Sequence, residues 1–120
     1  MGGLDSDLFL FDINTAFNSI IGVDTISDFV SGSDKIVLDK TTFTTLISVA
    51  GNGFSISNEF ATVTTDAAAA ISTARIVYNS SNGILFYNEN GSADGFGTGT
   101  QFAVLTANPI LNGSDFVIQT

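Results

Sequence analysis

The chain has 120 residues, no cysteine, no histidine and no tryptophan, and a net charge of −9. Disulfides and thiolate metal sites are thereby excluded, and the acidic balance disfavours nucleic acid and anionic membrane as partners. A hydrophobic content of 44% argues against disorder, the length suits one domain, and no apolar run is long enough for a membrane-spanning helix.

Residues 8–11 are a short apolar run between Asp7 and Asp12, which reads as a strand buried on both faces. Residues 14–21 suit a helical turn and a strand equally, and Gly22 breaks them. Residues 25–29 read as a strand with Ile26 and Phe29 inward, 30–34 as a turn, and 35–38 as another strand. Residues 41–48 suit one helical turn that carries Phe43 and Leu46 inward. Residues 50–53 read as a glycine turn, and 54–57 and 60–64 as strands.

Residues 65–71 form the clearest helix. Four consecutive alanines have the highest intrinsic propensity, Thr65 can cap, and Asp66 complements the positive end of the dipole. So short a helix needs a sheet to pack on. Residues 75–78 and 84–87 read as a hairpin whose connection ends in Asn82-Gly83, a strong turn signal. Residues 88–100 are a glycine-rich loop, and 101–105 and 115–119 are the last strands, with Pro109 in the loop between them. The eleven phenylalanines are expected in the core.

The chemistry-bearing stretch is the N-terminal third. Asp5, Asp7, Asp12, Asp24, Asp28, Asp34 and Asp39 all fall within it, against only three basic residues in the chain, Lys35, Lys40 and Arg75. Clustered carboxylates repel unless a cation lies among them, and a metal ion is a simpler answer than so few protein cations. Carboxylates on glycine-shaped backbone are oxygen-only chemistry, which selects Ca²⁺ over Mg²⁺ where the loop is flexible and rich in carbonyls. The candidate ligands are the carboxylates of Asp5, Asp7, Asp24 and Asp28 with the Gly3 carbonyl. The competing reading is that aspartates serve their own turns. It is preferred for Asp34, and Asp12 stays open. Residues 88–94 are oxygen-rich but lack the acidic pattern of an EF-hand, so a solvated loop is the preferred reading there. Without histidine or cysteine, and with its acids on glycine turns rather than in an aromatic cleft, the chain is read as non-catalytic. An upstream catalytic domain such as a protease or lipase is compatible with this.

Gly2-Gly3-Leu4-Asp5-Ser6-Asp7-Leu8-Phe9-Leu10 resembles the G-G-x-G-x-D-x-U-x nonapeptide of RTX (hemolysin-type calcium-binding) proteins, with Asp5 where the third glycine belongs. The run from Asp24 through Ile26, Asp28, Phe29, Gly32, Asp34 and Ile36 to Leu38 resembles the segment that follows the repeats in serralysin-type C-terminal domains. Residues 84–91, 101–105 and 114–118 resemble the ends of RTX proteins exported by type I secretion. Residues 41–75 carry little of the resemblance.

The fold expected is mostly β, the end of a calcium-binding parallel β-roll running into a β-sandwich, jelly-roll-like cap with one short α-helix. Residues 1–40 would be the last repeat and acidic calcium-binding segment, and residues 41–120 the cap with the secretion signal, all in one C-terminal domain. Only one repeat is visible, so the chain reads as a solenoid's terminal cap rather than a solenoid. The resemblance implies a secreted, extracellular or cell-surface protein whose C-terminal region is recognised by a type I exporter and which folds outside the cell when calcium binds. Its further partners would be upstream RTX repeats of the same chain, with self-association through an exposed roll edge. Deleting the last residues is then expected to abolish export and spare calcium binding. Gly2-Gly3-Leu4-Asp5 is not a basic stretch ahead of an apolar run, so no leader peptide is expected, and Met1 directly before the repeat-like glycines suggests a piece of a longer chain. The alternative reading is a structural or adhesive β-module of a cell-surface protein that calcium only rigidifies.

Overall fold

A computed structural model describes residues 8–18, 21–27, 29–89 and 100–120. The strands are β1 (Leu8–Phe11), β2 (Asp24–Ile26), β3 (Lys35–Asp39), β4 (Gly51–Asn52), β5 (Phe60–Val63), β6 (Ile76–Asn79), β7 (Ile84–Tyr87), β8 (Gln101–Leu105) and β9 (Phe116–Gln119), with one helix, α1 (Asp66–Ala70), between β5 and β6.

These strands make two mixed sheets. Sheet I has the order β1-β3-β9-β4, parallel at its first two contacts and antiparallel at the last. Sheet II has the order β2-β8-β7-β6-β5, parallel at both outer contacts and antiparallel at the two inner ones. The chain therefore runs from sheet I (β1) to sheet II (β2) and back to sheet I (β3). Parallel neighbours need a crossover, and the crossover between β1 and β3 is itself a strand of the facing sheet. No parallel β-roll is present among the described residues; the architecture is a sandwich of two mixed sheets with one short helix.

The core lies between the sheets. Phe11, Ile36, Leu38, Phe116 and Ile118 of sheet I share one buried cluster with Ile26, Ile76, Tyr78, Leu85, Tyr87, Phe102 and Leu105 of sheet II. Alternation along each strand sends these positions inward. Two connections add rings: Phe43 packs on Tyr87 and on Phe102 with centroids 5.1 Å apart in each case, and Phe17 lies 5.0 Å from Tyr87. Edge-on and tilted pairs such as these each add roughly 0.5–1.5 kcal/mol beyond their area. A bulge makes room for Phe102. Leu85 pairs with Ala103 and Phe86 with Gln101, which leaves Phe102 as the extra residue. Phe102 and Ala103 consequently both reach the core, where strict alternation would have turned one of them out.

Helix α1 covers the outer face of sheet II, where Ala69 joins Ala74, Val77 and Phe86 in a second small cluster. Its start follows the expectation: the Thr65 side chain accepts the Ala68 N–H at 3.0 Å. Asp66 does more than complement the dipole, since its Oδ1 accepts Nδ2–H groups from Asn79 and Asn82 of the β6–β7 hairpin.

Four expectations need correction. Strand β1 is not buried on both faces: Leu8 is 69% and Leu10 56% exposed, because β1 is an edge strand whose outer face nothing covers among the described residues. Residues 54–57 are not a strand. Gly53 donates to the Phe116 carbonyl and ends the β4–β9 pairing, while Ser48 Oγ accepts the Ile56 N–H and Ser55 Oγ the Val49 N–H, so hydroxyls satisfy main-chain donors that a ladder would have used. The turn at 50–53 instead contains β4. Residues 41–48 form successive turns rather than a helical one, although Phe43 and Leu46 are buried as expected.

Candidate functional site

Strands β1 and β2 are the edges of their sheets, and they flank one groove of about 390 Å³ lined by residues 8–11 and 24–26. Among the described residues each is held only on its inner side by a parallel ladder, β1 to β3 and β2 to β8. Leu8 and Leu10 stand exposed on one side, and Phe9 packs on Phe29 at 6.2 Å.

Of the five candidate calcium ligands, Asp24 is the one within the described residues; Gly3, Asp5, Asp7 and Asp28 lie outside them. Asp24 opens β2, is exposed, lines the groove and makes no hydrogen bond through its carboxylate among the described residues. A free, solvent-facing carboxylate suits a hard cation. Among the described residues no three acidic side chains come together as a metal cluster. Of the loop at 88–94, only Asn88 and Glu89 are described. Asn88 is buried and donates through Nδ2 to the Ser72 and Ala74 carbonyls, which makes it a structural pin.

Several other acids among the described residues serve the fold. Asp12 Oδ1 accepts the Asn14 N–H at 2.8 Å and lies 3.5 Å from the Thr42 hydroxyl, which answers the open question for that residue in favour of a turn. Asp34 is buried and its Oδ2 accepts the Val30 N–H at 2.8 Å, the turn role expected of it. Asp39 Oδ1 accepts the Thr41 N–H and its Oδ2 the Gln119 side chain. The Thr41 N–H is the main influence holding the Asp39 carboxyl below its ordinary pKa; burial opposes it, and the Gln119 and Thr41 side chains assist. The Tyr78 phenol is pushed up by burial. The three basic side chains reach main-chain carbonyls: Lys35 that of Ser114, Lys40 that of Ser48 and Arg75 that of Glu89.

Two buried carboxylates escaped the reading of the sequence. Glu59 accepts the N–H groups of Ile47 and Ser48 and the Ser48 hydroxyl, pinning the 47–48 segment to the start of β5. Asp115 accepts the Ser31 hydroxyl at 2.6 Å and the N–H groups of Gly32 and Asn112 at 2.8 Å each. For Asp115 a signal existed, the Asn112-Gly-Ser-Asp115 spacing of a capping box, which the structure forms. For Glu59 none existed, since its partners lie 11 and 12 positions upstream and nothing local marks them.

Comparison with protein families, curated proteins and solved structures returned no match. No helix among the described residues is long and apolar enough to cross a membrane.

Proposed function

We propose that this chain is a non-catalytic, calcium-binding terminal cap for an upstream parallel β-roll of the RTX type. The observation that supports this reading is the pair of open, parallel-paired edges that β1 and β2 present on either side of one groove. At one side β1 and β2 are both parallel-paired on their inner sides, and nothing pairs with their outer sides among the described residues. Open edges of this kind are templates for further strands. Because β1, β2 and β3 alternate between the two sheets, one more coil of the same alternation would extend both sheets at once. At the opposite side sheet II ends in β5, a four-residue strand parallel-paired to β6, and sheet I ends in β4, a two-residue antiparallel strand bounded by Gly53. A two-residue edge gives little to extend.

In this reading Gly3, Asp5, Asp7, Asp24 and Asp28 supply oxygen ligands to Ca²⁺, and the ion relieves the repulsion among them. Calcium that binds only the folded form stabilises it by RT ln(1 + [L]/Kd), about 2.7 kcal/mol per site at one hundred times Kd. The chain would then be loose where calcium is scarce and compact outside the cell. The type I export reading rests on the resemblance of residues 84–91, 101–105 and 114–118. Strand β9 is an inner strand of sheet I, between β3 and β4. An exporter that reads this end must therefore act before folding.

The test is thermal melting followed by circular dichroism with calcium, with magnesium and with chelator, on the chain and on Asp7→Ala and Asp24→Ala. The reading expects a calcium-specific rise in Tm that both variants lose. Identical melting under all three conditions sinks it.

A further inference from the structure

The end of the sandwich away from β1 and β2 carries a second cleft, of about 410 Å³, for which the capping reading has no use. It lies beside β4 and the start of β5. It is lined by Phe54 and Phe60, by Gly53 and Gly113, and by Asn52, Ser57 and Ser114.

The aromatic part is rigidly backed. Phe54 and Phe60 are nearly parallel, 10° apart in plane and 5.7 Å between centroids. Both lean on the fully buried Phe116, at 5.1 and 5.0 Å. Gly113 stands next to them: a Cβ there would lie 3.6 Å from Phe54 Cδ2 and 3.9 Å from Phe60 Cδ2. The missing side chain at 113 leaves that part of the rings uncovered. The polar part is neutral. Asn52, Ser57 and Ser114 are exposed and their side chains make no hydrogen bond among the described residues. In a chain of net charge −9, no charged residue lines this cleft among the described residues, and the Lys35 ammonium next to it is engaged on the Ser114 carbonyl at 2.7 Å.

We infer that this cleft binds a neutral carbohydrate, one pyranose unit at a time. A pyranose has an apolar face of C–H groups that packs on aromatic rings, and a rim of hydroxyls that both donate and accept. An amide and two hydroxyls answer that rim from both sides, as donors and as acceptors. The lack of charge disfavours phosphate, nucleotide and carboxylate ligands, whose buried charge would go unpaired. The size falls within the roughly 300–1,000 Å³ of small-ligand clefts. Phenylalanine has no polar handle, so discrimination among sugars belongs to Asn52, Ser57 and Ser114.

The experiment is a titration of ¹⁵N-labelled protein, read from amide shifts, with the methyl glycosides of glucose, galactose and mannose, and with benzyl alcohol as an apolar probe without a sugar rim. The expected result is saturable movement of the Gly53, Ser57, Gly113 and Ser114 amides with at least one glycoside, at millimolar Kd. Two variants follow. In Gly113→Leu, at a site where a Cβ meets only ordinary contacts, the side chain covers the rings; in Asn52→Ala/Ser57→Ala the rim is removed from exposed positions. Each is expected to weaken binding by about tenfold or more while amides remote from the cleft keep their shifts. The inference is overturned if no glycoside moves these amides saturably, if both variants bind as the parent does, or if benzyl alcohol saturates the cleft and the glycosides do not.

Discussion

Asp39 shows how one residue couples the chain's end to its middle. Its carboxylate takes the Thr41 N–H and the Gln119 side chain, so it steadies the turn after β3 and the last residue of β9 together. Because its folded pKa lies below the unfolded value, the unfolded chain binds the proton more tightly in acid. The stabilisation is complete above the unfolded pKa and is lost as pH falls through the folded one. Urea unfolding between about pH 2 and pH 5 should therefore show stability falling toward acid, with a shallower fall in Asp39→Asn. An unchanged acid slope in that variant would refute the role. Gly83 makes a second prediction at this scale. It has φ +78°, and a Cβ there would lie 2.2 Å from the Leu105 carbonyl oxygen, while its own carbonyl accepts the Leu105 N–H at 2.7 Å. The close approach of β8 to the hairpin turn leaves no room for a side chain. Gly83→Ala should cost at least about 2 kcal/mol in denaturant unfolding, from left-handed backbone strain plus the clash.

Among the elements, β9 has a role that its position in the chain conceals. It is the last strand, yet it lies inside sheet I with β3 parallel on one side and β4 antiparallel on the other. The turn leading into it carries Asp115, whose carboxylate closes the 31–32 turn from a distance of more than eighty residues. Asp115→Ala leaves the Gly32 and Asn112 N–H groups and the Ser31 hydroxyl without this acceptor, and a loss of about 2–4 kcal/mol is expected in urea unfolding. Removing residues 116–120 takes away an inner strand with the buried Phe116 and Ile118. That truncation should lose its cooperative melting transition and, with it, any calcium response. This revises the simpler expectation that the C-terminal end can be deleted without touching calcium binding. A truncated chain that still melts cooperatively would show that sheet I closes without β9.

For the whole molecule the question is which side is finished. The β1–β2 side exposes Leu8 and Leu10 on β1 and leaves both edge strands free on their outer sides among the described residues; on the other side sheet I terminates in two residues and sheet II in the four-residue β5. If the capping reading holds, joining upstream nonapeptide repeats in calcium should raise Tm and slow hydrogen exchange at the outward-facing amides of β1 and β2. Amides of inner strands such as β7 should change little, because their ladders are already complete. Unaltered exchange at both edges would leave them without the proposed occupant.

What the sequence by itself determined was the local structure. The Thr65 cap and alanine run set α1 because a helix start and its propensity are decided within a few residues. The Asn82-Gly83 turn set the β6–β7 hairpin for the same reason. The phenylalanines announced a buried core, which Phe11, Phe17, Phe29, Phe43, Phe102 and Phe116 occupy, whereas Phe9, Phe54 and Phe60 are only partly buried. The candidate site was legible only as a concentration of acids. Asp12 and Asp34 proved to be turn residues, Asp24 stands free at the open edge, and Gly3, Asp5, Asp7 and Asp28 fall outside the described residues. Tertiary structure alone decided the sheet order, the interior place of β9, the bulge at Phe102, and the burial of Glu59 and Asp115. Each of these depends on pairings between residues far apart in the chain. Alternation within a strand shows which face is buried, but not which strand lies beside it or whether an edge is left open.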